Sequence, residues 1–160
     1  MPGSPTMRRA TTDDVPALAE LFLAVRAENA PRIPPIAHPA ATVRPFLAHV
    51  VATDTVWVAE DEHGLVGFLA LGAGGEVEHL YLRAVATGRG TGARLLDLAR
   101  EARPSGLALW TFAANTGARR FYAREGFVEV GGTDGDNEEG VPDVRMEWRP
   151  HRLSAGGSRR

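Results

Sequence analysis

Thr87–Gly92 reads Thr-Gly-Arg-Gly-Thr-Gly, with a glycine at every second position, a run that neither a strand nor a helix interior favours. Before it, Glu76–Leu82 alternates apolar and polar residues in the period of a strand. After it, from Ala93, the residues Leu95, Leu98, Ala99 and Ala102 recur at helical spacing until Pro104 ends the pattern. A strand therefore runs into a glycine turn, and the turn opens a helix. Glycines let the backbone curl so that successive N–H groups point at one spot, and the positive end of the helix dipole adds to them. The result is an anion site that needs no metal, with a phosphate as the expected guest.

Two general phosphate motifs fit poorly. A Walker-type loop requires Lys followed by Ser or Thr after its last glycine, and Ala93-Arg94 supplies neither. Gly88, Gly90 and Ala93 satisfy the glycine spacing of a dinucleotide fold. That fold also needs an acidic residue about 20 positions on, and Ala108-Leu109-Trp110-Thr111 offers no carboxylate. A nucleotide-binding oxidoreductase is thus a minor alternative.

The segment Leu80–Leu96, LYLRAVATGRGTGARLL, resembles the acyl-CoA-binding segment of the GNAT superfamily of N-acetyltransferases. Thr87 stands where that family usually has Gln or Arg, which leaves the backbone to carry the diphosphate contact at that point. Downstream, Asn115-Thr116-Gly117-Ala118-Arg119-Arg120-Phe121-Tyr122, followed by Gly126-Phe127, resembles the family's other signature, Asn-x-x-Ala-x-x-Phe-Tyr and then Gly-Phe. The ending Asn137–Pro150 is also similar to GNAT chains, so the resemblance covers most of the sequence.

The resemblance implies a cofactor site and a reaction. Acetyl-CoA is the implied co-substrate. Its contacts fall on Leu80, Tyr81 and Leu82 through their backbone, on Thr87, Gly88, Arg89, Gly90, Thr91, Gly92 and Ala93 at the turn, and on Asn115 and Tyr122. Arg89 and Arg94 are further candidates for the phosphates. The implied reaction moves an acetyl group to a primary amine by direct attack in a ternary complex. An ammonium with a pKa near ~10.4 must lose a proton before it attacks, and the departing thiolate must gain one. Tyr122 is the implied acid, since a phenol stays protonated at neutral pH. Glu76 is the first candidate base and Glu78 the second; lying two apart, they are expected on one face of the strand. Glu60 and His79 are weaker candidates. The plain alternative for Glu76 and Glu78 is a solvated strand end, and for Tyr122 a core aromatic. A non-catalytic acyl-CoA-binding module remains the alternative function.

Composition sets the frame. A chain of 160 residues is expected to form a single domain over residues 7–150, with flexible ends at 1–6 and 151–160. The formal charge of −2 argues against a nucleic-acid partner, and no apolar run approaches the length of a membrane span. A cytoplasmic address and a monomer or homodimer are expected. With no cysteine, an acyl group cannot rest on an enzyme thiol, so transfer from a thioester is more simply direct. The histidines are scattered, and the loop Thr133–Gly140 misses calcium-loop spacing, so no metal is expected. Carboxylates in that loop are instead candidates for attracting a cationic amine, against the plain reading of a solvated turn.

The remaining elements frame the turn. A first strand is expected at Met7–Thr11 and a helix capped by Thr12-Asp13-Asp14 that runs to about Glu28. A loop stiffened by Pro31, Pro34, Pro35 and Pro39 follows, then a short helix through Val43–Val50. A hairpin is expected over Thr55–Glu60 and Leu65–Leu71. Further strands are expected at Leu107–Phe112, from Phe127 and at Asp143–Trp148, with a helix from Asn115 to about Arg124. The resemblance makes this an α/β fold: a mixed, mostly antiparallel central sheet with two splayed parallel strands, flanked by about four helices.

Overall fold

Alternation along the expected hairpin assembles the core. In the computed structural model, which describes residues 4–29, 39–135 and 140–150, strand β2 spans Thr55–Asp61 and β3 spans Gly64–Leu71. Trp57, Ala59, Val66, Leu69 and Leu71 face one side of this hairpin, and Val56, Val58, Phe68 and Ala70 the other. Both faces are covered, which explains why β3 reads as an almost unbroken apolar run. The first face packs on helix α3, Thr91–Ala102, through Leu95, Leu96 and Ala99. The second packs on α1, Val15–Asn29, and α2, Ala40–Thr53, through Leu18, Phe22, Val43 and Leu47. Each large apolar side chain buried here contributes about 1.5–3 kcal/mol.

The hairpin extends into a four-stranded antiparallel sheet, β1-β2-β3-β4, with β1 at Thr6–Arg9 and β4 at Val77–Leu82. A second antiparallel sheet of three strands has the order β5-β7-β6: β5 at Leu107–Phe112, β6 at Val128–Thr133 and β7 at Asp143–Trp148. Helix α4, Thr116–Arg124, connects β5 to β6. Strands β4 and β5 run parallel and meet at an isolated bridge between Glu76 and Ala108. Beyond that bridge they form no ladder among the described residues. The expected α/β class is therefore the one observed, with four α-helices among the described residues, but the expected single mixed central sheet is divided into two antiparallel sheets because β4 and β5 meet only at that bridge.

Several local expectations need correction. The first strand ends at Arg9, not Thr11. Thr11, rather than Thr12, is the cap before α1: its hydroxyl accepts from Asp13 N at 3.3 Å while Asp14 Oδ2 accepts from Thr11 N at 2.8 Å, a reciprocal capping box. Residues 12–14 then form a single 3-10 turn leading into α1. Glu76 lies just before β4 and not within it. The helix after the glycine run begins at Thr91, two residues earlier than the spacing suggested, because Gly90 takes up the left-handed conformation that ends the turn (φ 81°). Pro31, Pro34 and Pro35, Asp136–Glu139 and the tail from His151 lie outside the described residues.

The approach of β4 to β5 depends on Gly75. Its φ is +83°, and a Cβ placed there would sit 2.6 Å from the carbonyl oxygen of Gly106, immediately before β5. Gly74 has a similar φ of +73° but nothing within 4 Å of the same position. The pair therefore separates backbone strain from contact. Gly75→Ala is expected to destabilise the protein by roughly 3 kcal/mol, combining left-handed strain with overpacking, whereas Gly74→Ala should cost only about 1 kcal/mol. Urea denaturation of both variants checks the difference.

Candidate active site

Both strands that flank the gap between the sheets lead into helix N-termini at the same end. After β4, a 3-10 turn at residues 84–86 and the positive-φ glycines Gly88 (74°) and Gly90 (81°) deliver the chain to α3. No side chain caps that helix at Gly90, and the first internal bond is from Arg94 N to Gly90 O at 3.0 Å. The N–H groups of Thr91, Gly92 and Ala93 thus have no partner inside the helix, and they sit at its positive end. After β5, Asn115 caps α4, its Oδ1 accepting from Ala118 N at 3.1 Å.

The side chains of the turn divide into different tasks. Thr87 donates its hydroxyl to Ala84 O at 2.8 Å, which closes the turn on itself. Gly88, Arg89 and Gly90 are exposed. Thr91 is buried at 1% exposure, and no partner for its hydroxyl is found among the described residues. Gly92 packs against the core: a Cβ would lie 3.0 Å from Phe121 Cζ and 3.2 Å from Leu82 Cδ1. Gly92 therefore serves the close approach of α3 to α4 and β4 rather than the curl of the loop. Arg94 turns away from the glycines and donates to Pro5 O at 3.0 Å.

Strand β4 carries its residues alternately. Leu80 and Leu82 pack into the α3-side core, and Tyr81 faces α1, stacked on Phe22 with ring centroids 5.0 Å apart. One edge of β4 bonds to β3, with Leu80 opposite Leu69 and Leu82 opposite Gly67. Its other edge faces the gap. A register shift between Ala70 and Leu71 places His79 opposite Ala70 and Val77 opposite Leu71, so Glu78 is the extra residue of a β-bulge.

Tyr122 is buried at 8% exposure, edge-on to Phe121 at 5.1 Å and to Phe127 at 5.4 Å. Among the described residues nothing accepts a hydrogen bond from its hydroxyl. Burial, reinforced by the nearby Tyr81, pushes its pKa above the ordinary phenol value, so the proton is firmly held.

The two candidate carboxylates have different surroundings, although they are close enough to repel each other. Glu76 accepts from Arg145 on β7 through both oxygens, at 2.6 and 2.9 Å. Glu78 reaches solvent while leaning over Gly72, where a Cβ would lie 2.8 Å from its Oε2. Partial burial raises its pKa above the usual carboxylate value, and the charges of Glu76 and Asp54 raise it further while Arg145 lowers it. The bulge and the position of Glu76 outside the strand remove the shared strand face expected from their spacing. Glu60 is engaged elsewhere, with Arg8 Nε at 3.1 Å, and His79 stands in an aromatic cluster, edge-on to Phe46 at 5.4 Å. Sequence reasoning missed Arg145 and Trp110; the Arg145 guanidinium lies 5.3 Å from the Trp110 ring centroid. No local pattern links Arg145 to a carboxylate 69 residues earlier.

Among the described residues no helix is long and apolar enough to cross a membrane, and no cluster of His, Asp or Glu could hold a metal ion. Residues 52–129 match the family model described as an acetyltransferase (GNAT) domain. The fold is shared with PaiA N-acetyltransferase from Thermoplasma acidophilum in complex with coenzyme A (TM-score 0.74, 18% identity, 92% of this chain and 99% of that one). It is shared too with ribosomal-protein-alanine N-acetyltransferase from Brucella melitensis (TM-score 0.69, 24% identity, 90% and 99%). A third similar structure is the apo form of YjaB from Escherichia coli (TM-score 0.70, 22% identity, 91% and 98%). No curated protein matches the chain. The match to a GNAT acetyltransferase domain thus covers the segment from β2 to the start of β6, and the fold shared with these acetyltransferases extends over most of the chain.

The turn after β4 is also tied to α1. Glu28 accepts from Arg83 Nε and from Ala84 N, both at 2.9 Å, and the Arg83 bond first, then that from Ala84, holds its pKa below 4.5. A carboxyl depressed by folding adds stability above its unfolded pKa and loses it as pH falls through the folded value. Wild type is therefore expected to exceed Glu28→Gln in unfolding free energy near pH 6. The difference should shrink as pH drops from about 4.5 toward 3. Urea titrations across that range measure it.

Proposed function

We propose that the protein is an acetyl-CoA-dependent N-acetyltransferase that moves an acetyl group to a primary amine by direct attack in a ternary complex. The observation that carries this reading is the gap between β4 and β5. The strands touch at Glu76–Ala108 and then part, so backbone groups on the free edge of β4 are available to an extended ligand. At the same end lies the uncapped, glycine-led N-terminus of α3, suited to a diphosphate. The backbone of Leu80, Tyr81 and Leu82 would hold the pantetheine arm. The N–H groups from Gly88 to Ala93 would hold the phosphates, with Thr87 shaping the turn, Arg89 beside them and Asn115 at the second helix end.

Three proton movements complete the reaction. The ammonium of the acceptor gives one proton to Glu78, directly or through one water. The freed nitrogen lone pair forms a bond to the thioester carbon, the carbon–sulfur bond breaks, and Tyr122 gives its proton to the departing sulfur; the acylated nitrogen then releases its second proton to solvent, and the Tyr122 phenolate takes one back. Partial burial and the neighbouring carboxylates raise the pKa of Glu78, which favours its taking a proton, and an exposed position lets an acceptor reach it. Glu76, whose oxygens both hold Arg145, is the less suitable of the pair. The absence of cysteine agrees with direct transfer. Residues 7–150 would act as the single catalytic domain.

The test separates an enzyme from an acyl-CoA-binding module. In Tyr122→Phe, kcat for amine acetylation is expected to fall by about 10²-fold or more, with acetyl-CoA affinity by calorimetry close to wild type. A wild-type protein that binds acetyl-CoA yet acetylates nothing in a broad amine library would establish the module instead.

A further inference from the structure

Arg145 lies on β7, in the second sheet, yet its guanidinium closes on Glu76, at the start of the first sheet. The pair sits at the joint itself, since Glu76 is the residue bridged to Ala108. Register places Arg145 opposite Trp110 on β5, and the guanidinium lies over that ring at 5.3 Å. Arg145 is thus fixed from two directions, by a two-pronged ion pair and by an aromatic face. Trp110 is itself 48% exposed, so the assembly stands at the surface beside the joint and not in the core.

The charges around Glu78 come from several elements. Asp54 follows α2, Glu76 precedes β4 and Arg145 comes from β7. The adjacent His79 stands among Phe46, Phe68 and Tyr81, and Glu147 on β7 acts on Arg145 in turn. Three of the charges near Glu78 are thus set by two carboxylates and one guanidinium. That guanidinium is the only cation in the set, and it is spent on Glu76.

We infer that Arg145 is a positioning residue for acetyl transfer: by clamping Glu76 at the joint between the sheets, it withholds that carboxylate from the reaction and leaves Glu78 as the one that meets the incoming amine. The inference rests on the reading of Glu78 as the base. Arg145 itself touches neither the acceptor nor the thioester. It acts through Glu76, by geometry and by neutralising a like charge next to Glu78. Without Arg145, Glu76 is an unpaired neighbour that makes the ionisation of Glu78 harder. Without the Glu76 charge, the unspent Arg145 makes it easier.

These opposite signs give a test that a merely structural role would not pass. The acidic limb of the pH profile of kcat/KM is measured with saturating acetyl-CoA for wild type, Arg145→Gln, Arg145→Lys, Glu76→Gln, the double Glu76→Gln/Arg145→Gln and Glu78→Gln. Arg145→Gln is expected to move the limb upward by roughly half a pH unit or more, and Glu76→Gln to move it downward by a similar amount. Arg145→Lys, which keeps the charge, and the double variant should both return it toward wild type. Loss of amplitude with an unmoved limb, or shifts of the same sign, overturns the inference. If Arg145→Gln does not fold, the double variant is read against Glu76→Gln: a limb that returns upward supports the inference, and one that stays where Glu76→Gln puts it overturns it. Glu78→Gln distinguishes the two levels. A limb that survives in it refutes Glu78 as the base, and the inference with it. A limb that it abolishes, but that Arg145→Gln and Glu76→Gln leave in place, refutes the role of Arg145 only.

Discussion

Among the described residues the backbones of the two sheets join at one parallel bridge, Glu76 to Ala108, and most of what makes the site depends on that joint being short. Gly75 permits it, because any side chain there would meet the Gly106 carbonyl. Arg145 reinforces it from outside by gripping both oxygens of Glu76. Had β4 and β5 continued to pair along their length, every N–H and C=O on the inner edge of β4 would be consumed by the ladder. Because pairing stops, those groups need other partners, and a peptide-like ligand arm is a natural one.

The gap also decides where charge accumulates. Strands β4 and β5 run the same way, so the segments that follow them both turn back into helices at the same end. Helices α3 and α4 therefore present their N-termini together. One of them, α4, has Asn115 accepting from its Ala118 N; the other, α3, has a left-handed glycine and no side-chain cap. The asymmetry matters because an uncapped N-terminus keeps its donors for an anion, whereas a capped one holds a fixed helix in place. Glu28 supports the same region from the opposite face, tying α1 to the backbone at Ala84.

Two carboxylates close in sequence acquire different properties from their surroundings. A bidentate guanidinium holds Glu76 in a structural ion pair. Glu78, lifted out of register by a bulge and leaning over a glycine, has a raised affinity for its proton. Such divergence between neighbouring titratable groups is the usual route by which a fold assigns one to hold and another to react. Tyr122 is the third member: burial keeps its phenol protonated, and on α4 it packs edge-on to Phe121 and Phe127.

The local features were legible in the sequence because they depend on near neighbours. Period-two alternation located β4, apolar runs bounded by turn residues located β2, β3 and β5, and the glycine run with its following apolar period located the turn and α3. The Asn115 cap was read from residue type and spacing alone. Boundaries slipped where a single backbone conformation decides them: left-handed Gly90 starts α3 at Thr91, and Thr11 takes the cap expected of its neighbours. What only the tertiary structure decided is the relation between distant segments. A bulge at Glu78 exists only relative to β3, and the clamp on Glu76 only because β7 lies beside it. Residue types and their spacing determine hydrogen bonding and burial over one or two turns of chain. The choice between two glutamates is made by a guanidinium from the far end of the sequence, and no periodicity records that contact.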